Sequence, residues 1–281
     1  MLISGAAGCI AGLLALHTCS PSPRLLALAI QCGDHLLGSA RAMPQGLGWN
    51  PALPSSGPLT GFSHGAAGIA WALLELAAQT GHERFRTAAL SGIAYERSLF
   101  STEARNWPDL RVRDTKRELD GPPPFQAAWC HGAPGIGLGR LLCRRHFNDA
   151  LLDQEIEVAL HTTLSDGFGS NHSLCHGELG NLDLLLAAAE AFPDSSWRAE
   201  ADRVSANILS SIQRSGWLCG NPLAVESPGL MTGIAGIGYG LLRCAEPTRV
   251  PSALSLAPPI LGHAVQPFFT VQQRSLSRPQ N

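Results

Sequence analysis

The sequence predicts an all-α protein, an α/α toroid in which helical hairpins form a double ring. Five glycine-rich turns each contain a Gly-x-x-Gly step, and about a dozen mostly apolar residues follow each turn. Between these apolar segments lie amphipathic segments whose apolar residues recur near helical spacing. A helix that is apolar on nearly all sides is buried, whereas an amphipathic helix covers a core with one face. The alternation therefore favours an inner ring inside an outer ring, rather than an open solenoid.

The five turns align on their first glycines, which lie between 45 and 67 residues apart, at Gly5, Gly65, Gly132, Gly177 and Gly233. The inner helices are predicted over Ala6–His17, Ala66–Thr80, Pro134–His146, Glu178–Phe192 and Ile234–Cys244. The outer helices are predicted over Pro23–Arg41, Glu83–Phe100, Asp149–Leu164 and Ser195–Arg214. Irregular loops are expected on the same side as the turns, at Met43–Pro58, Asn106–Pro124, Ser165–Ser173 and Gly216–Gly229.

Composition narrows the class of protein. The chain has 281 residues, of which 45% are hydrophobic, enough for one large domain with a substantial core. A net charge of −2 and the lack of a long basic run argue against a nucleic-acid-binding surface. The eight cysteines match no small disulfide scaffold, so we expect reduced thiols and a cytoplasmic location. Met1–Leu16 is apolar but has no preceding Lys or Arg, so we interpret it as a copy of the repeat, not a targeting or integral membrane segment.

Reactive side chains lie in two of the turns, which contain Trp-Cys-His-Gly and Leu-Cys-His-Gly. Cys130, Cys175 and His176 offer two thiolates and one imidazole, a set that suits zinc and leaves a fourth position open. All three precede helices, whose positive N-terminal ends favour thiolates. Simple burial of apolar cysteines is the alternative, but the paired motif favours zinc. Such a site would bind a further thiol and hold it as a nucleophile, with activation of water as the rival chemistry.

Three further histidines are candidates at or near the site. His131 and His172 rank below the three ligands; His131 shares the motif and its ring could serve as a ligand or support the ligands, whereas His172 lies outside the motif. His64 occupies the equivalent turn of another copy, where it is either a packed or capping residue or a general acid and base. The cysteines outside the two motifs are expected to pack in the core, and they are Cys9, Cys19, Cys32, Cys143, Cys219 and Cys244.

The turn sequences resemble the LanC-type lanthionine cyclase family. The resemblance is carried by Gly-Phe-Ser-His-Gly-Ala-Ala-Gly, Ala-Trp-Cys-His-Gly-Ala-Pro-Gly, Ser-Leu-Cys-His-Gly-Glu-Leu-Gly and Gly-Leu-Met-Thr-Gly-Ile-Ala-Gly. It is closest to the C-terminal cyclase domain of class II (LanM-type) lanthipeptide synthetases, which Ala94–Phe100, Asn106–Leu110 and Arg249–Ser252 also resemble. It extends to about Pro259, so residues 1–259 are predicted to be a cyclase domain and residues 260–281 a partly disordered tail.

The resemblance implies a fold, a cofactor and a reaction. The family's fold is an α/α toroid with zinc at its mouth, and Cys130, Cys175 and His176 match the zinc ligands. His64 matches the histidine proposed for proton transfer. The family adds a peptide Cys thiol to dehydroalanine or dehydrobutyrine, which closes a thioether ring during lanthipeptide (lantibiotic) maturation. A dehydrated precursor peptide and a separate dehydratase domain or protein are the partners implied.

Two positions depart from the family pattern. An Asp that usually lies four residues before the first glycine is here Met1, so we expect the toroid to be incomplete at its N-terminal side and to lack its first helices. Apolar inner faces would then be exposed, and we expect the isolated chain to be marginally stable or prone to aggregation. An Arg that class I cyclases commonly have four residues before the first Cys ligand is here Gln126.

Other functions remain open on the sequence. A catalytically impaired fragment or peptide-binding remnant of a LanM-type synthetase would hold zinc without turnover. A prenyltransferase-like zinc toroid would require a carboxylate among the ligands and an aromatic-lined cavity, and the chain has only two Tyr. A toroidal glycosidase would require paired catalytic carboxylates. Glu178 is the one carboxylate at the motif turns, and it is more simply explained as favouring a helix N-terminus.

Overall fold

A computed structural model of the chain describes residues 1–52, 54–111 and 124–259. Within these residues the protein is all-α, with nine α-helices and very little strand. The inner helices are α1 (Ala6–Cys19), α3 (Ala66–Thr80), α5 (Ala133–Arg144), α7 (Glu178–Ala191) and α9 (Ile234–Ala245). The outer helices are α2 (Pro23–Ser39), α4 (Glu83–Ser98), α6 (Ala150–Asp166) and α8 (Trp197–Ser215). Every predicted helix is confirmed, and each end agrees to within two residues.

Helix packing produces two concentric layers. Each inner helix from α1 to α7 packs against the outer helix that follows it, which gives four hairpins. The inner helices also contact one another in chain order, α1 with α3, α3 with α5, α5 with α7 and α7 with α9. Ten of the 15 residues of α3 and 11 of the 14 residues of α7 are buried, as expected for helices with neighbours on several sides. The all-α, α/α toroid prediction is therefore confirmed, and α1 and α9 are not among the extensively packed helix pairs of the described residues.

The Gly-x-x-Gly step has one physical cause in all five turns. A Cβ atom on the second glycine would approach within 2.0 Å or less of a carbonyl oxygen six residues earlier. That close approach occurs at Gly8, Gly68, Gly135, Gly180 and Gly236. The chain entering each inner helix thus folds back against the helix's own first turn, and only glycine leaves room for it.

The segment after α9 returns to the inner layer. Asp183 of α7 binds the Arg243 guanidinium and accepts a hydrogen bond from the hydroxyl of Ser252, and both contacts are buried. The Arg243 guanidinium also donates to the carbonyl oxygen of Val250 at 2.7 Å. Residues 247–259 are therefore tied to the core, whereas the predicted tail at 260–281 lies outside the described residues. Among the described residues, no helix combines the length and apolar character that crossing a bilayer requires.

Smaller features complete or correct the predicted fold. Arg41–Ala42 and Leu47–Gly48 form a two-residue antiparallel ladder that the sequence did not indicate. The loop predicted at Asn106–Pro124 is described only in part, because residues 112–123 lie outside the described residues. The prediction that the remaining cysteines pack in the core is wrong for Cys9 and Cys19, whose residues are exposed on α1. An apolar run thus does not by itself imply burial of every side chain on the helix.

Substituting Gly68 tests the role of the second glycine. In Gly68→Ala the new methyl group would lie 2.0 Å from the Phe62 carbonyl oxygen, so the turn must shift. We expect a loss of roughly 3 kcal/mol in the free energy of unfolding, measured by urea denaturation. Gly12→Ala is the matched control, because a Cβ there meets nothing within 4 Å and the change should stabilise α1 slightly. Equal stability of the two variants would contradict the explanation.

Candidate metal centre

Backbone hydrogen bonds between successive turns bring the predicted site residues together. The residue two positions before the first glycine of one turn donates its N–H to the carbonyl oxygen of the same position in another turn. Cys130 donates to Cys175 at 3.2 Å, and Cys175 donates to Met231 at 2.8 Å. Ile3 makes the same bond to Ser63 at 3.2 Å. The two motif cysteines are therefore neighbours because the repeats are neighbours.

The structure gathers the three predicted metal ligands into one cluster. The ligand atoms of Cys130, Cys175 and His176 all lie within 4.8 Å of one another. Cys130 is buried, Cys175 is half-buried and His176 is exposed, so the cluster is open on one side. That side meets a cavity of about 790 Å³, whose lining includes Cys130, His131, His176, Gln126 and Arg111. The arrangement can bind a metal ion with three protein ligands and leave the cavity side accessible.

A carbonyl group fixes the orientation of the His176 ring. Its Nε2 lies 2.8 Å from the carbonyl oxygen of Gly220, which only accepts, so Nε2 carries the proton and donates. That hydrogen bond leaves Nδ1 with its lone pair for a metal ion. Gly220 is itself held by a hydrogen bond from its N–H to the Thr232 carbonyl oxygen. A side chain at position 220 would lie 2.9 Å from the His176 ring, which explains the glycine.

The two thiols have opposite electrostatic character. A hydrogen bond from the Cys130 thiol, with support from His176 and Arg111, lowers the pKa of Cys175 to about 5. The same hydrogen bond and the burial of Cys130 raise the pKa of the Cys130 thiol. In the metal-free protein, Cys175 is therefore the thiolate and Cys130 keeps its proton. The Cys175 thiolate in turn raises the pKa of His176.

His64 lies next to His131, the residue that follows Cys130, and it is not among the residues that line the cavity. Its ring stacks on the His131 ring, with centroids 5.4 Å apart and planes 17° from parallel. Burial lowers the pKa of His64, and the charge of Arg111 lowers it further. His131 is almost fully buried and its Nδ1 lies 3.9 Å from the Asp109 carboxylate. His131 is not part of the metal-ligand cluster found among the described residues.

Two polar side chains from outside the repeated turns, Glu96 of α4 and Asn106 of the loop that follows α4, hold two of the turns in place. Buried Glu96, from the Ala94–Phe100 segment, accepts hydrogen bonds from Gly61 N–H at 2.7 Å and Ala67 N–H at 3.2 Å, on either side of His64. Its second oxygen faces the guanidinium of buried Arg140 at 3.0 Å. Asn106 accepts from Ala133 N–H at 2.8 Å and so caps the helix that follows Cys130.

His172 lies away from the cavity and has a structural contact instead. Its Nδ1 accepts a hydrogen bond from Leu218 N–H at 2.8 Å, so Nε2 carries the proton and donates to the Ser211 hydroxyl at 3.4 Å. Glu178 is buried beside it, with 3.9 Å between the carboxylate and the His172 ring, and accepts from Gly169 N–H. His172 thus links the metal-ligand turn to the segment that leads to Gly220.

Sequence reasoning did not single out Arg111. It comes from the loop between α4 and α5, outside the repeated turns, yet it lines the cavity with Cys130 and His176. Its guanidinium forms a two-pronged ion pair with Asp109, with Nε–Oδ1 at 2.9 Å and Nη2–Oδ2 at 2.6 Å. Gln126, where class I cyclases commonly have Arg, lines the same cavity. The other candidates were found because they lie in the repeated glycine-rich turns. Arg111 does not lie in one of these turns, so the repeat could not reveal it.

Fold and site together define a class of protein, a helical toroid with a Cys-Cys-His cluster at the mouth of its inner layer. The comparisons agree with this class. A family model described as Lanthionine synthetase C-like protein matches residues 2–255. The chain therefore belongs to the lanthionine synthetase C-like family.

Individual relatives support the assignment. The chain is 29% identical over 197 residues to the lacticin 481/lactococcin biosynthesis protein LcnDR2 of Lactococcus lactis subsp. lactis. That match spans 66% of this chain and 20% of the relative, so the chain corresponds to only a fifth of the curated relative's length. The similarity is consistent with a LanM-type subgroup.

Solved structures share the fold. Nisin cyclase superposes with a TM-score of 0.65 at 19% identity, over 91% of this chain and 66% of that one. A sugar epimerase from a ruminal bacterium gives a TM-score of 0.57 at 10% identity, over 86% of this chain and 69% of that one. Cellobiose 2-epimerase from Spirochaeta thermophila gives 0.54 at 14% identity, over 75% and 60%. These likenesses concern the helical architecture alone.

Alkylation of metal-free protein tests the thiol electrostatics. We expect iodoacetamide to label Cys175 down to about pH 5, where its thiolate persists, and to leave Cys130 unlabelled at neutral pH. In His176→Asn, Cys175 loses a stabilising partner, so labelling at about pH 6 should slow several-fold. Peptide mass spectrometry reads both sites. Equal labelling of Cys130 and Cys175 would contradict the assignment of the thiolate.

Proposed function

We propose that this chain is a zinc-dependent lanthionine cyclase domain. Its substrate would be a peptide that contains both a Cys thiol and a dehydroalanine or dehydrobutyrine residue, and its product a thioether ring. The observation that carries the proposal is the cluster of Cys130, Cys175 and His176, which opens into a cavity large enough for a peptide segment. His64, one repeat away, supplies a candidate for proton transfer.

The donor set fits zinc. In a tetrahedral zinc site with Zn–S bonds near 2.3 Å, the sulfur atoms lie roughly 3.8 Å apart, which is compatible with ligand atoms grouped within 4.8 Å. One thiol already has a strongly lowered pKa, so a metal ion has to displace only one further thiol proton. The hydrogen bond from His176 Nε2 to Gly220 selects the tautomer that a ligand requires. When bound, zinc would offer its open position to the substrate thiol and lower the pKa of that thiol.

His64 is suited to accept and return one proton. Burial and Arg111 lower its pKa, so the ring is neutral at physiological pH and can accept the proton that the substrate thiol loses. After the carbon–sulfur bond forms, the same ring can return that proton to the α-carbon of the former dehydro residue. The His131 ring stacked on it and the backbone hydrogen bonds to Glu96 restrict the position of the His64 turn.

Partners and alternatives follow from the chemistry. The peptide must be dehydrated beforehand, so a dehydratase domain or protein is a required partner, and the eight free cysteines suit a reducing cytoplasm. The prenyltransferase-like alternative would need a carboxylate among the ligands, and the cluster found in the described residues has none. A peptide-binding remnant without turnover is the second candidate, and zinc binding without cyclisation would identify it.

Metal analysis tests the ligand assignment. We expect about one zinc per wild-type chain after dialysis against a weak chelator, and a large loss of zinc in Cys175→Ala, because two protein ligands hold the metal poorly. Cyclisation of a predehydrated peptide should be lost in parallel. Cys19→Ala is the matched control, since Cys19 is exposed on α1 and outside the cluster. Full zinc occupancy in Cys175→Ala would show that the site lies elsewhere.

The pH dependence of cyclisation tests His64. We expect the wild-type rate to be retained at about pH 6.5 and to fall only at lower pH, because the lowered pKa keeps the ring neutral until then. His64→Asn should reduce kcat by about 100-fold or more and remove that acidic limb, with zinc content unchanged. His35→Asn is the control, because His35 is an exposed residue of α2. An unaltered acidic limb in His64→Asn would mean that another group titrates.

A further inference from the structure

We propose that Arg111 is a catalytic residue of this site, which binds the substrate carbonyl oxygen as negative charge develops on it during thioether formation. The inference rests on the proposed function and adds a residue to it. Three observations carry it: the place of Arg111 in the cavity, the rigidity of its support, and the charge that the reaction creates. Neither the repeated turns nor the ligand set requires an arginine here.

The first observation is position. Arg111 lines the same cavity as Cys130 and His176, so its side chain and the thiol-binding cluster face one space. Its guanidinium is also close enough to His64 to lower the pKa of that ring, after the larger effect of burial. A substrate held between the cluster and His64 is therefore within reach of a permanent positive charge.

The second observation is a rigid support. Asp109 has a fully buried side chain and holds the guanidinium through Nε and Nη2, and its own N–H donates to the Pro124 carbonyl oxygen at 2.8 Å. Asp109 also accepts from the backbone N–H of Arg111 at 3.2 Å. Asp109 binds Nε and Nη2, so Nη1 is the nitrogen of the guanidinium that this ion pair leaves for a ligand. The side chain of Arg111 is nearly one-third exposed, at 31%.

The third observation is the chemistry of the addition. The thiolate sulfur donates a lone pair to the β-carbon of the dehydro residue, and the C=C π pair forms a C=C bond between the α-carbon and the carbonyl carbon. The carbonyl π pair moves onto oxygen, which becomes an enolate. The enolate then reforms the carbonyl as the α-carbon takes the proton that His64 received from the thiol. No oxidant or reductant is needed, and the oxygen carries the transient negative charge.

A positioned guanidinium stabilises that oxygen more in the transition state than in the ground state, which is the condition for a catalytic effect. The five N–H groups of Arg suit an oxyanion, and an ion pair with Asp109 keeps the fork in place before the substrate binds. Loss of one such donor usually costs about 100-fold to 1,000-fold in kcat. A residue that only binds the peptide would instead affect KM.

The experiment compares full-length wild type, Arg111→Gln, Arg111→Met and Arg111→Lys on one predehydrated peptide that contains a single Cys. Zinc content, thermal melting, kcat and KM are measured for each. Arg198→Gln is the matched control, because Arg198 lies on the outer helix α8 with its side chain half-exposed. Arg111→Gln and Arg111→Met are both neutral. The outcome is taken from the one whose zinc content and melting temperature match those of wild type.

We expect the deciding neutral variant to retain zinc and KM within about threefold and to lose about 100-fold or more in kcat. Arg111→Lys should retain part of the activity, because it keeps the charge without the fork. A kcat within about threefold of wild type, or a rise in KM alone, would overturn the role of Arg111 while leaving the proposed function intact. If wild type and Arg198→Gln both bind zinc without forming a ring, the proposed function itself fails, and this role with it.

Discussion

The structure depends on one close approach, repeated five times, between a turn carbonyl and the second glycine of each Gly-x-x-Gly step. Any side chain at that glycine would force the entering chain away from the first turn of its inner helix. Because every copy obeys the same constraint, equivalent positions of all five turns reach the same end of the inner layer. A chemical site therefore needs only suitable side chains at those positions, and Cys130, Cys175 and His176 supply them.

The same geometry explains how the turns act together. Backbone hydrogen bonds join Cys130 to Cys175 and Cys175 to Met231, so three successive turns are linked to one another at the N-terminal ends of their inner helices. Buried polar side chains from outside the turns bind further backbone N–H groups of the turns. Glu96 is an example, since its carboxylate takes two backbone N–H groups and faces buried Arg140. Burying such charges costs free energy unless they are paired, so pairing here fixes one arrangement of the His64 turn.

The sequence predicted correctly those features that follow from the repeated turns themselves. The bounds of the inner helices were predictable because their apolar runs begin at a glycine step. The cluster was predictable because Cys130 and Cys175 occupy equivalent positions of two turns and His176 follows Cys175. Arg111 and Gly220 were not, because they lie in loops whose paths depend on packing against other elements. Exposure of Cys9 and Cys19 was also missed, since an apolar helix predicts burial only if a neighbour covers each side. Tertiary context decided these cases.

The site residues lie in the middle of the helical array, away from its two edge helices α1 and α9. His64 precedes α3, the ligands precede α5 and α7, and Arg111 lies in the loop that leads to α5, so the reactive groups belong to the middle of the helical array. Large apolar side chains are exposed at its two edges instead, with Leu16 of α1 57% exposed and Leu242 of α9 60% exposed. Exposed apolar side chains of this kind are typical of surfaces that bind another protein segment. Loss of order at the α9 edge would reach the metal cluster through the segment before α9, because Gly220 accepts the hydrogen bond from His176 and Met231 accepts the one from Cys175. At the other edge, α3 lies between α1 and the helices that follow the ligands.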